Sequence, residues 1–166
     1  YLVNELSDVP GIATLGPDPL ADDFTPAALG AILDAAGKSQ LKGVLRDQRV
    51  IAGIGNAYSD EILHAARMSP FKPASSLDDA GRAVLYEAIR GELSAAVARA
   101  SGLQARELKD AKRSAMRVHG RTGEPCAVCG TTIAEVSFAD SSLQYCPGCQ
   151  TGGKPLADRR LSRLLK

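Results

Sequence analysis

Apolar residues keep a helical spacing through most of the chain and give way to short β-prone runs after Met116. Thr25-Pro26 starts the first helix, a hydroxyl cap followed by proline at the first helical position. Leu29, Ile32 and Leu33 share its face, and Gly37 ends it. A second short helix is predicted from Lys38 to about Gln48, with Leu41, Val44 and Leu45 on one side. The run Val50-Ile51-Ala52-Gly53-Ile54-Gly55-Asn56 is apolar but broken by two glycines. Asn56 is predicted to cap the next helix, with Ser59, Asp60 and Glu61 in its first turn and Ile62, Leu63 and Ala66 along its face. Ser76 and Asp79 have the spacing of a capping box. A long helix carrying Leu77, Val84, Leu85, Ile89, Leu93 and Val97 is predicted from there to about Ala100. Gly102 ends it, and Leu103 to Lys112 forms at most a short further turn. Strand pieces are predicted at Arg117–His119, Ile133–Phe138 and Leu143–Tyr145.

The expected fold is mainly α: a helical bundle over 25–112, followed by a small β-hairpin finger over 113–150. Residues 1–24, punctuated by Pro10-Gly11, Gly16-Pro17 and Pro19, read as a linker. Residues 151–166 form a basic tail, with Leu156, Leu161, Leu164 and Leu165 at amphipathic spacing. The chain begins at Tyr1, in a polar stretch, and reads as a fragment or a processed product.

Charge sharpens this division. The net charge of +1 is unremarkable, but from Lys112 onward nine cations face four acids. A basic C-terminal module on a mildly acidic body points to a polyanion partner. No apolar run approaches a membrane span. Four cysteines in matched pairs suit a reducing, cytoplasmic interior.

Those cysteines are Cys126, Cys129, Cys146 and Cys149, two Cys-x-x-Cys knuckles sixteen residues apart. Each knuckle aims two sulfurs at one point, and two knuckles across a hairpin make the tetrahedron that zinc accepts. Two disulfides or four unrelated buried thiols are the plainer alternatives. With all four thiolates as ligands, the site is structural and has no open catalytic position.

Elsewhere the candidate chemistry is sparse. The Gly53–Asn56 turn opens a helix, where free backbone N–H groups and the dipole favour a phosphate. On spacing alone it reads as an ordinary interhelical turn. Lys42 can reach the same place, although alone it reads as a solvated surface charge. Asp60 and Glu61 read as acids placed for the helix dipole. His64 and His119 form no hydrolytic set, and His119, beside Gly120-Arg121, can contact a phosphate.

Three motifs in register carry a resemblance. Gln48 to Glu61 resembles the helix–two-turn–helix signature of the formamidopyrimidine-DNA glycosylase and endonuclease VIII family. Leu15-Gly16-Pro17-Asp18-Pro19-Leu20 resembles the start of that family's C-terminal domain. Gly120 to Gly130 and Tyr145 to Gln150 are similar to its zinc finger, and the overall tone resembles actinobacterial members.

The resemblance implies a bacterial, nucleoid-associated repair enzyme that removes oxidised bases and cleaves the abasic strand by β- and δ-elimination. It implies Asn56 and Lys42 as phosphate contacts, beside which Gly55, His119 and Arg121 are expected to touch DNA, together with one structural zinc and a monomer bound to double-stranded DNA containing a damaged base. The family's nucleophile is an N-terminal proline amine on a β-sandwich domain, which these residues do not include. On that basis the chain should bind DNA and zinc without catalysis. Two positions depart from the family pattern: Ser141 stands where the finger usually carries arginine, and His119 where a tyrosine precedes Gly-Arg. The rival is a non-catalytic zinc-ribbon module that binds nucleic acid or docks proteins.

Overall fold

A computed structural model describes residues 9–157. The predicted tail helix, with Leu161, Leu164, Leu165 and its arginines, lies outside the described residues, as does the chain start.

Among the described residues six α-helices lead into the hairpin. A single turn, α1 (Pro10–Ala13), precedes α2 (Pro26–Ala36), whose N-cap Thr25 accepts from the Ala28 amide. Next come α3 (Leu41–Arg46) and α4 (Asn56–Ala65), then a 3-10 turn at Ala74–Ser76, the long α5 (Asp79–Ala100) and α6 (Ala105–Ala115). β1 (Ala134–Ser137) pairs antiparallel with β2 (Ser142–Tyr145), Val136 opposite Leu143, and α7 (Pro147–Gln150) closes the second knuckle. Among the described residues no helix is long and apolar enough to cross a membrane.

Leu29, Leu33, Leu41, Ile62, Leu85 and Ile89 are fully buried in one core shared by α2 to α5. The spacing of these residues puts one stripe of each helix inward, which is the main stabilising term of such a bundle.

Several local readings are corrected. Residues 14–24 are no free linker: Phe24 is buried, and the Gly16 amide donates to the Gln48 carbonyl. The N-cap of α5 is Asp78, which accepts from the Gly81 amide, while Ser76 belongs to the preceding 3-10 turn. The segment after Gly102 is a helix of eleven residues, not a turn, because Gln104 and Glu107 form a capping box at its start. Arg117–His119 is no strand; its amides are taken by a side chain, described below.

Candidate metal centre and nucleic-acid interface

The glycine turn shows how α4 is aimed. Gln48 grips the turn from both sides, donating to the Ile54 carbonyl and accepting from the Gly53 amide, each at 2.8 Å. Gly53 has φ +83, a region that disfavours other residues. Gly55 is extended at φ −95, so its need for glycine is not conformational; it is the N-cap, and Asn56 is the first helical residue rather than the cap. The Asn56 amide nitrogen donates 2.8 Å across to the Ser142 carbonyl of the finger hairpin. Its Oδ1 is buried without a protein partner.

Lys42 is not a solvated charge. It is 5% exposed, and its ammonium donates to the Asn56 carbonyl (2.8 Å), Ser59 Oγ (2.7 Å) and Asp60 Oδ1 (2.5 Å). Three donors meet three acceptors, so the group is saturated. Burial lowers its pKa, and Asp60 opposes that shift.

Asp60 and Glu61 are likewise corrected. They lie in the second turn of α4, are fully buried, and serve the finger rather than the dipole. Asp60 Oδ2 meets His119 Nδ1 at 2.7 Å and accepts from the Gln144 amide at 3.3 Å. Glu61 accepts three successive backbone amides, Arg117 at 2.8 Å and Val118 and His119 at 2.9 Å. Arg117 also bridges to Glu92 at 2.5 Å. A carboxylate filled by amides and a guanidinium is a strong tie, and it fastens the start of the finger to α4. Farther on, Gln150 accepts from the Cys146 amide and donates to the Met68 carbonyl, at 2.8 and 2.9 Å.

The four cysteine sulfurs lie within 4.8 Å of one another, with Cys126–Cys149 at 3.9 Å and Cys129–Cys146 at 3.3 Å. A tetrahedral site with metal–sulfur bonds of about 2.3 Å has sulfur–sulfur edges of about 3.8 Å, so the set fits one ion. The second knuckle requires Gly148: a Cβ there would stand 2.4 Å from Thr131 Oγ1 and 2.9 Å from Cys129 Sγ. The Cys129 thiol is pulled down to about 6, first by the Thr131 hydroxyl and then by the Thr131 backbone. Burial pushes Cys146 and Cys149 upward. Four such thiols become thiolates together only around a cation. Buried His64 on α4 sets its Nε2 3.4 Å from Cys126 Sγ.

Beside the tip of α4 opens a cleft of about 500 Å³ lined by Ala57, Lys109, Lys112, Arg113, His119 and Arg121. Lys109, Lys112 and Arg113 sit at helical spacing on one face of α6, and Lys112 also lies 5.1 Å from the Tyr58 ring centroid. Among the described residues none of these three has an ion pair. Arg121 is held by Glu124 at 2.9 Å. Of the predicted contacts, the structure gathers Asn56, Lys42 and His119 into one network, leaves Gly55 exposed at the tip and sets Arg121 at the cleft. Sequence reasoning missed the roles of Asp60, Glu61 and His64, whose only signal was polar residues within the apolar face of a short helix, and the cationic face of α6.

Comparison with known proteins agrees. Residues 15–107 match a family model described as the formamidopyrimidine-DNA glycosylase H2TH domain, and residues 123–152 match one described as a zinc finger found in FPG and IleRS. With the sulfur geometry, the metal is one structural zinc. An uncharacterized formamidopyrimidine-DNA glycosylase-like protein of Mycobacterium tuberculosis is 56% identical over 161 residues, 97% of this chain and 100% of its own length. A formamidopyrimidine-DNA glycosylase of Desulfitobacterium hafniense is 40% identical, covering 85% of this chain and 53% of that protein. The chain therefore spans about half the length of that glycosylase. The crystal structure of MutM (Fpg) from Thermus thermophilus superposes with TM-score 0.77 at 33% identity, over 92% of this chain and 59% of that one. A Lactococcus lactis Fpg in complex with abasic-site DNA gives 0.74 at 28% identity, over 87% and 55%.

Proposed function

The chain belongs to the formamidopyrimidine-DNA glycosylase family, and on that premise we propose that its 166 residues grip DNA for a base-excision repair glycosylase and AP lyase acting on oxidised bases. The observation that carries the reading is the direct bond from Asn56 at the α4 tip to Ser142 in the finger, beside a cleft lined by cations of α6. Two elements fixed side by side follow one sugar–phosphate strand, and phosphate contacts set register without reading sequence. In this proposal Gly55, the first amides of α4, His119 and Arg121 face the strand. Lys42 acts through Asn56, because its own donors are filled. Lys109, Lys112 and Arg113 extend the phosphate path.

At the α4 tip Lys42, Asp60 and Glu61 are all buried and paired, so they serve the fold rather than a reacting group. We therefore expect the chain alone to bind without cutting, as a monomer, in the bacterial cytoplasm at the nucleoid. A second reading, a nucleic-acid module without chemistry, is favoured by the M. tuberculosis relative being matched along its whole length. The codons preceding Tyr1 separate the two: a β-rich domain opening Met-Pro-Glu supports the enzyme.

The test is fluorescence anisotropy of the chain on undamaged and abasic-analogue duplexes across a salt series. Replacing Lys109, Lys112 and Arg113 by alanine should lower the slope of log affinity against log salt by about 2.7, close to 0.9 for each lost phosphate contact. Asn56→Ala should weaken all duplexes alike. Wild-type affinity and slope in both variants would remove the proposed interface.

A further inference from the structure

His64 lies on α4 but faces the metal centre, 4% exposed, with Nε2 3.4 Å from Cys126 Sγ. We infer that His64 is a positioning residue of the zinc site: its Nε2–H donates to the zinc-bound Cys126 thiolate and ties the ion to the helix that carries the Asn56 tip. This inference rests on the zinc centre alone and is independent of whether DNA is the partner.

The chemistry of the acceptor sets the direction of the bond. A thiolate bound to zinc has no proton, so its sulfur only accepts. The ring nitrogen facing it must then carry the hydrogen, which leaves Nδ1 as a bare lone pair. Nδ1 is buried with no protein partner. The opposite tautomer would bury an unmet N–H donor there, a rarer and costlier arrangement than an unmet lone pair.

Charge supplies the purpose. Four thiolates around a divalent ion leave two excess negative charges, and N–H donors to sulfur offset them. Further donors come from the finger itself: the Val128 amide to Cys126 and the Cys149 amide to Cys146, both at 3.4 Å, and Thr131 at Cys129. His64 is the donor that comes from the helical body. Through it, and through Glu61 three residues earlier, α4 is fastened to the finger.

Two measurements test this on the full chain. In the zinc-loaded protein, nitrogen-15 shifts of the His64 ring should show the Nε2–H tautomer; an Nδ1–H tautomer overturns the inference without any variant. In the cobalt-loaded protein, His64→Phe should speed metal loss to a chelator about 10- to 100-fold and shift the thiolate-to-cobalt charge-transfer band. His64→Gln, which offers an amide N–H in place of the ring N–H, should restore most of both. Metal retention and a band equal to wild type in His64→Phe overturn it equally.

Discussion

In the helical body, Leu29, Leu33, Leu85 and Ile89 belong to one continuous core reaching from Phe24 to Leu93. The finger buries two small clusters instead, Val118 and Ile133 with Cys126 and Cys146, and Val136 with Leu143 and Tyr145. An isolated two-stranded hairpin is marginal in water, so this one is held by its metal and by what α4 lends it. That loan is polar: Glu61 fills the amides of Arg117 to His119, and Asp60 takes His119 and the Gln144 amide. The body folds by burial. The finger is held by ligation and by side chains of α4 that fix its direction.

Removing the metal is the strongest way to break this contrast. Structural zinc contributes an apparent ~10–16 kcal/mol of folding free energy in small fingers. Chelation, or Cys146→Ser, should expose the β1 and β2 amides to hydrogen exchange while α5 amides stay protected. Simultaneous loss of protection in α5 would show that the two regions are one cooperative unit. Acid should act in the same direction. Burial raises the Cys146 and Cys149 thiols above their ordinary value of 9.0, so protons compete more strongly for those ligands as pH falls. Metal content measured down a pH series should fall, not rise.

Next comes the borrowed acid. Glu61→Ala strips the partner from three successive backbone amides, that of Val118 fully buried, and from Arg117. A buried donor left without its acceptor costs about 1–3 kcal/mol, and three amides lose theirs together. The ion pair adds little because Arg117 is 38% exposed. A urea titration should show a lowered midpoint and, unlike metal removal, an intact four-thiolate cobalt spectrum. A wild-type midpoint would mean that the finger is oriented by its ligation alone.

What could be read in advance follows the same division. The body's helices were legible because Leu29, Leu33, Leu85 and Ile89 keep the helical period, and the zinc ligands because two knuckles stand at a known spacing. The joint between the regions was not. Asp60 and Glu61 were read as acids for a helix dipole, since nothing local reveals that Arg117 to His119 return to them from more than fifty positions away. Lys42 was read as surface for the same reason: its three acceptors lie on another helix. The helix α6 was missed because its apolar signal is weak. It buries no residue fully, and it is identified by its capping box and its charges.

A core substitution sharpens the contrast from the other side. Leu85 is fully buried in α5. Leu85→Ala should cost about 2–5 kcal/mol through lost burial and a cavity, lowering the thermal midpoint of the body. Chelator-driven metal loss measured well below that midpoint should stay at the wild-type rate, because no metal ligand touches this core. A faster loss would mean that strain in the body passes through α4 into the finger.

The smallest effect separates two candidate caps of α5. Asp78 accepts from the Gly81 amide at 2.8 Å, whereas Ser76 donates to the Pro73 carbonyl in the turn before the helix. Asp78→Ala should therefore cost about 1 kcal/mol, the usual value of a lost N-cap. Ser76→Ala should cost less, since it removes only an exposed bond within one turn. Both lie on the body side, so neither should alter cobalt affinity or the charge-transfer band. If the order of the two is reversed in matched thermal melts, the spacing of Ser76 and Asp79 identifies the cap and the Asp78 contact does not hold the helix end. If cobalt affinity falls instead, α5 transmits its end fraying to the finger through Glu92 and Arg117, and the boundary between a burial-driven body and a ligated finger lies inside α5 rather than after it.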